Sequence, residues 1–193
     1  MRLHGVMTTS SAIHPDYLVG TWKLDPTHSE LAFSVRHLAI SKVRGKFESF
    51  DVTVVTADDL ADSSITATID IASVNTNQKD RDAHLRTSDF FQVDEYPTAT
   101  FTSTAFTLDG DDFTVTGDLT LRGVTKQVVL KGEVGGVVTD GYGQTKAGVS
   151  ASTKINRHDF GVSWNAALEA GGFTLGDDVT LNFDLQVVLQ PSA

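Results

Sequence analysis

Cysteine is absent from the 193 residues. Its absence excludes a disulfide scaffold, a thiolate zinc site, an iron–sulfur cluster and a thiol nucleophile, and leaves the redox compartment open. Basic residues are scarce: 15 Lys plus Arg stand against 25 Asp plus Glu, a formal charge of −10. Nucleic acid and anionic lipid both demand a basic face, so this balance argues against either as an electrostatic partner. Long apolar runs are also missing. The chain is 40% hydrophobic, too rich for a disordered polymer, but its apolar residues are too dispersed for a membrane-integral segment. Residues 1–20, MRLHGVMTTSSAIHPDYLVG, hold no apolar stretch of the roughly 7–15 residues that a secretory signal needs. Residues 1–19 are therefore expected to form a mostly disordered leader, ordered at most over 17–19, and the protein is expected in the cytoplasm.

Catalytic signatures are missing as well. His28, His37, His84 and His158 lack a metal-ligand spacing such as H-x-x-x-H. No Gly-x-Ser-x-Gly elbow, Walker loop or Gly-x-Gly-x-x-Gly turn occurs. No catalytic residue, metal ligand or cofactor is assigned, and the acidic residues sit mostly at positions expected to be wet.

What the sequence does carry is a period of two, the period of a strand. Over 178–190 the odd positions are Val179, Leu181, Phe183, Leu185, Val187 and Leu189, while the even ones are polar except Val188. Similar rows are Phe113, Val115, Gly117, Leu119 and Leu121; Ile65, Ala67, Ile69 and Ile71; Ala147, Val149, Ala151, Thr153 and Ile155; and Leu31, Phe33 and Val35. Two rows change phase. Val43, Gly45 and Phe47 are odd but Phe50, Val52 and Val54 even, which predicts a bulge at Glu48 and Ser49. Ala99 and Phe101 slip in the same way against Phe106 and Leu108. Turns are expected at Asp109-Gly110-Asp111-Asp112, Arg122-Gly123, Gly135-Gly136 and Asp140-Gly141-Tyr142-Gly143. Two stretches escape the pattern. Residues 77–94 suit a short helix over 79–86 with Asn77 as cap, followed by an irregular flap. Residues 161–177 suggest a helical turn over 165–169.

About eight amphipathic strands with short loops, and no linker or repeat, predict one all-β domain over 20–191: a sandwich or a closed antiparallel barrel. An eight-stranded barrel packs its own side chains or holds one small ligand. Ala67, Ala147, Ala151, Gly117 and Gly45 are small inward residues that favour a dry cavity. The same residues also suit strand crossing or taper, so packing alone leaves hollow and filled barrels open. Trp22, in a Gly20-Thr21-Trp22 entry similar to that of lipocalins, reads as an end plug or an ordinary core residue.

Five segments, in order, resemble the YceI-like family of polyisoprenoid-binding proteins. They are WKLDPTHS from Trp22 with Leu31, Phe33, Val35, Arg36, His37 and Leu38; Gly45-Lys46-Phe47; IDIASVNTNQKDRDAHLRTSDFFQVDEYPTATFTS from Ile69; GDLTLRGVT from Gly117; and Arg157, Asp159, Phe160 and Gly161. Together they span roughly 20–189, and RDAHLRTSDFFQVDEYP is the most specific. The resemblance implies a lipocalin-like closed barrel of about eight strands whose apolar pore holds a long isoprenoid chain, such as a polyprenyl phosphate or a quinone tail. It also leans towards a homodimer. Many members carry a secretory signal, from which the polar leader here departs.

The expected wall is Leu31, Phe33, Val35, His37, Phe47, Ile69, Phe101, Phe113, Val115, Leu119, Val149, Phe183 and Leu185; each also suits plain core. His37 reads as a contact to a ligand head or as a satisfied interior partner. Arg81, His84 and Arg86 are head-group candidates, since guanidinium forks match phosphate oxygens. Against that, Arg81 and Asp82 suit a lock of the helix onto nearby strands. Phe90, Phe91, Tyr96 and Pro97 are expected to pack the flap, with Phe90 and Phe91 pointing different ways. Arg157 and Trp164 are expected to flank the opposite mouth. The leading expectation is a non-catalytic lipid carrier or sequestering protein. The rivals are a fatty-acid or other single-chain lipid binder, an enzyme using His37, His84 and an Asp on a lipid head group, and a structural or stress-related partner protein with a vestigial cavity.

Overall fold

The computed structural model describes residues 16–169 and 171–192. The expected leader over 1–19 lies mostly outside them, and within them Tyr17 donates its hydroxyl to the Ala57 carbonyl (2.5 Å). Eleven strands follow: β1 Gly20–Leu24, β2 Glu30–His37, β3 Ser41–Phe47, β4 Phe50–Thr56, β5 Ser64–Asp70, β6 Val74–Asn75, β7 Thr98–Asp109, β8 Asp112–Leu121, β9 Val124–Thr139, β10 Thr145–Asn156 and β11 Leu175–Leu189. One helix, α1, spans Lys79–Leu85.

All pairings between these strands are antiparallel, and the sheet closes on itself because β1 pairs both β4 and β11. The closing ladder matches Trp22 with Leu189 and Leu24 with Val187. Three of the barrel's eight staves are broken. β1 and β2 form one stave interrupted by a 3-10 turn at Pro26–His28, β3 and β4 another, and β5 and β6 a third interrupted at Ile71–Ser73. The strand registers put these breaks side by side, so they form a corner across neighbouring staves. Ser73 stitches that corner: its Oγ accepts from Ser49 N (3.0 Å) and its carbonyl from Glu48 N (3.2 Å). Asp25 caps the first break by accepting from Thr27 N and pairing with His28 at 2.9 Å. The bond to His28, and that to Thr27, hold its carboxyl below the ordinary carboxylate range against the opposing effect of partial burial.

The phase change at Glu48 and Ser49 is therefore not a bulge within one ladder. The chain kinks there and changes partners, β3 pairing with β2 and β6, and β4 with β1 and β5. The slip in β7 is a true bulge: the register shifts between Ser103 and Ala105, leaving Thr104 extra. Gly135-Gly136 is not a turn. β9 runs through it, and Gly135 is the extra residue where Gly148 faces Gly136 but Val149 faces Val134. A glycine pair in a long strand marks a bulge as readily as a turn. The 165–169 segment forms no helix; Ala167 makes an isolated bridge to Phe173. Asn77 is not the helix cap either. It takes a positive φ of 62°, and Gln78 caps α1 by accepting from Arg81 N.

Some of the small inward residues are filled over. A Cβ on Gly45 would lie 2.5 Å from Cζ of Phe33, and one on Gly117 would strike the Phe101 ring. These glycines make room for aromatic rings, not for a ligand. Ala147 belongs to the cluster of Trp22 and Val187 that closes one barrel end, where Trp22 donates from Nε1 to Thr56 Oγ1 (3.1 Å).

A methyl on Gly132 would collide with the Ser150 carbonyl and the Phe113 ring, whereas one on Gly141 meets nothing within 4 Å. Gly132→Ala should lower stability by about 1–3 kcal/mol in chemical denaturation, with Gly141→Ala as the near-neutral control. Asp25→Ala should cost about 1 kcal/mol at neutral pH through the lost cap. Because the folded carboxyl titrates below its unfolded value, its contribution is present above the unfolded pKa of about 3.9 and is lost as pH falls through the lower folded one. The difference between wild type and variant should therefore shrink below about pH 4.

Candidate functional site

In a closed sheet every second side chain faces the interior. Here the interior is hollow. A cavity of about 390 Å³ runs inside the barrel, within the size range of small-molecule sites. Along β11 its wall includes Val179, Leu181, Phe183, Leu185 and Val187. Eight residue steps at about 3.4 Å on a strand tilted by about 40° correspond to roughly 20 Å along the axis. Phe33, Val149, Leu181, Phe183 and Leu185 are only half-buried although they point inward, as expected of side chains that face a space and not one another.

Each expected wall residue borders this cavity. Leu31, Phe33, Val35 and His37 come from β2, Phe47 from β3, Ile69 from β5 and Phe101 from β7. Phe113, Val115 and Leu119 come from β8, Val149 from β10, and Phe183 and Leu185 from β11. Val128 and Leu130 of β9 and Leu121 of β8 join them.

The two ends differ. The Trp22 cluster seals one. At the other lie the helix, the flap after it and the loop after β10. His84 stands edge-on between Phe90 (5.0 Å) and Trp164 (4.9 Å), and those two rings are 5.2 Å apart. Phe90 and Phe91 both border the cavity but diverge: Phe91 leans 6.1 Å from Phe47 on the far side. Arg157 and Trp164 thus sit at the same mouth as α1, not the opposite one.

The candidate polar groups separate under this geometry. Arg81 and His84 border the cavity; Arg86 does not. Arg86 turns outward, its Nε donating to the Ala72 carbonyl (2.9 Å) and Nη2 to that of Val74 (3.1 Å), so it is a strut between helix and corner. Arg81 is partly committed too, donating from Nε to Thr76 Oγ1 and from Nη2 to the Thr76 carbonyl, both at 2.8 Å. Asp82 completes that lock: buried, it accepts from Thr76 N (2.8 Å) and Oγ1 (2.5 Å). His84 Nε2 lies 2.8 Å from Asp89 Oδ2 on the solvent side. That meets the reach of an acid–base pair, and the same ring packs against Phe90 and Trp164. Among the described residues no three His, Asp or Glu side chains converge as metal ligands.

Two arginines matter more than the sequence suggests. Arg122 joins flap to loop, donating to the carbonyls of Ser88 (2.8 Å) and Gly161. Arg157 is 4% exposed and borders the cavity. Its Nε donates to the Gly176 carbonyl, and its Nη1 to those of Val162 and Trp164, each at 2.8 Å. Burial lowers its pKa, with Asp177 pulling weakly the other way. Arg157 continues the odd inward row of Ala151, Thr153 and Ile155, a parity that could have marked it from sequence.

Comparison with known proteins agrees with this architecture. A family model described as a YceI-like domain matches residues 22–187. Protein YceI of Escherichia coli is 40% identical over 159 residues, covering 81% of each chain. A UPF0312 protein of Staphylococcus aureus is 40% identical over 157 residues, 80% of this chain and 90% of that one. Among solved structures, the YCEI protein of Campylobacter jejuni superposes with a TM-score of 0.68 at 35% identity, covering 81% of this chain and 90% of its own. A polyisoprenoid binding domain from Saccharophagus degradans gives 0.67 at 20% identity, over 90% and 100%, a likeness of fold.

Asp82→Ala would strand the buried amide and hydroxyl of Thr76 and loosen Arg81. It should destabilise by about 2–3 kcal/mol. Hydrogen exchange should speed up selectively across 76–92, while the β8–β9 ladder stays protected.

Proposed function

The chain belongs to the YceI-like family, and from that premise we propose that it binds a long single-chain isoprenoid lipid inside its barrel, as a carrier or sequestering protein and not as an enzyme. The observation that carries this reading is the lengthwise cavity, walled mostly by Val, Leu, Ile and Phe and capped by aromatic rings. A prenyl tail has no polar atom to satisfy, so an apolar tube suffices for it. Burying apolar surface gains roughly 25 cal/mol per Å² before the costs of association are subtracted. The polyisoprenoid binding domain of Saccharophagus degradans, with the same fold, supports the choice of isoprenoid among chain lipids.

The polar groups sit at one end, so the tail lies towards Trp22 and the head near α1. Two features support the non-enzymatic reading: His84 is hemmed by rings, and Arg81 and Asp82 are spent on locking the helix.

Organic extraction of purified protein followed by mass spectrometry should recover a prenyl lipid. A fatty acid in its place would keep the site and change the ligand, whereas empty protein that also refuses added prenyl lipid would overturn the reading. Val115→Asp or Phe183→Asp places a charge on the wall and should abolish retention. A folded charged variant that still retains lipid would show that the ligand lies elsewhere.

A further inference from the structure

The net charge of −10 is not evenly spread. On the outer face of the β2–β3 hairpin stand Arg36, Lys42, Arg44 and Lys46, all exposed. The register sets Arg36 directly opposite Lys42 and places Arg44 and Lys46 farther along the same face. Like charges facing each other across a strand pair are destabilising. Residues 36–46 hold no Asp or Glu, and among the described residues none of the four cations has an ion-pair partner. In a chain with 25 acidic residues, a cluster of cations without a counter-ion is a surface suited to an outside anion.

The tip of this hairpin is apolar. Leu38 and Ala39 take positive φ values of 54° and 57°, a turn conformation that favours Asn and Gly. The turn presents Ile40, 81% exposed, with Leu38 beside it. Leu38 N donates to the Thr174 carbonyl (2.7 Å), which brings in neighbouring Phe173, 64% exposed. Single exposed apolar residues are ordinary, whereas an apolar cluster flanked by cations is the pattern of a membrane-surface contact. The cluster also adjoins the mouth: His37, the last residue of β2, and Thr174 both border the cavity. Exposed carboxylates of the same end lie on other elements, among them Asp80 on α1, Glu95 on the flap and Asp178 at the start of β11. Asp177, next in line, is engaged by His158 (2.7 Å). An anionic surface would therefore meet the hairpin first.

We propose that the β2–β3 hairpin docks the protein on an anionic bilayer surface. Ile40, Leu38 and Phe173 enter the headgroup layer, and Arg36, Lys42, Arg44 and Lys46 meet lipid phosphates. The docking stands on the hairpin alone. Its consequence rests on the lipid-binding reading above: the cavity mouth is held against the bilayer, where a chain lipid passes without crossing water. The overall negative charge, which argues against an anionic partner for the molecule as a whole, keeps this local contact weak and reversible.

The test mixes purified protein with vesicles of phosphatidylcholine, with and without phosphatidylglycerol, and reads bound protein by sedimentation at low and high salt. The wild type should bind the vesicles that hold phosphatidylglycerol and not those of phosphatidylcholine alone, and high salt should release it. A basic residue near an anionic surface contributes about fivefold in affinity, so Lys42→Gln combined with Arg44→Gln should weaken binding roughly twentyfold. Ile40→Asp should weaken it comparably. Lys131→Gln combined with Lys154→Gln makes the same charge change at exposed positions of β9 and β10 and should leave binding nearly unchanged. A wild type that ignores phosphatidylglycerol vesicles would overturn the proposal, as would an equal loss in both double variants, which would reduce the effect to net charge. If Lys42 and Arg44 only keep the open edge of β3 from pairing, the wild type will ignore vesicles and the variant will self-associate, which also overturns it. A wild-type dimer that Ile40→Asp dissolves would assign the tip to a second copy of the chain and overturn it too. The vesicles hold no isoprenoid, so failure here leaves the barrel's ligand untouched, and failure to extract a lipid leaves the docking standing.

Discussion

The closure of the sheet is the constraint on which everything else depends. When β1 pairs with β11 through Trp22 and Leu189, the ring β1-β4-β5-β7-β8-β9-β10-β11 closes on itself and its inner face is shut away from water, while residues 41–45 of β3 and the two-residue β6 keep one edge outside the ladders. Strand alternation then has a single solution: the apolar rows point in. An open sandwich of the same strands would press two apolar faces together into a solid core about 10 Å thick. A ring of eight staves cannot collapse that way, because its circumference is held by hydrogen bonds. The hollow is therefore a consequence of topology as much as of side-chain size.

That constraint also explains where irregularity is tolerated. A long stave cannot follow the barrel wall without bending. The breaks after Asp25, at Glu48 and Ser49, and after Asp70 bend three neighbouring staves at one level, and Asp25, Asp70 and Ser73 satisfy the backbone groups released there. The bulges at Thr104 and Gly135 serve the same end on the other side of the ring. Gly45 and Gly117 let aromatic rings lie flat against the wall, narrowing the bore locally instead of widening it.

Polarity is confined to one end because the backbone there is no longer strand. Where the staves finish, carbonyls and amides lose their ladder partners, and arginines take them up: Arg86 at Ala72 and Val74, Arg122 at Ser88 and Gly161, Arg157 at Gly176, Val162 and Trp164. Most of these guanidiniums hold loops in place. Arg157 differs in that it is almost wholly buried and borders the cavity.

The sequence by itself determined which side chains face inward, because period two is a local property. The rows through Leu31, Val115 and Phe183 were legible for that reason, as were the β7 slip and the helix near residue 80. Tertiary structure decided what local pattern does not contain. Whether Gly135-Gly136 turns the chain or bulges it depends on the partner strand. Whether Gly45 leaves space depends on the ring of Phe33, and whether Arg86 or Arg157 meets the cavity depends on how the helix and the loop after β10 are carried over the mouth. Parity along β10 reaches Arg157 in the sequence, but its burial at the mouth is set by the loop that follows. Above all, the hollow itself arises from the meeting of strands 167 residues apart in the chain, as Trp22 and Leu189 are, and no local period encodes that closure.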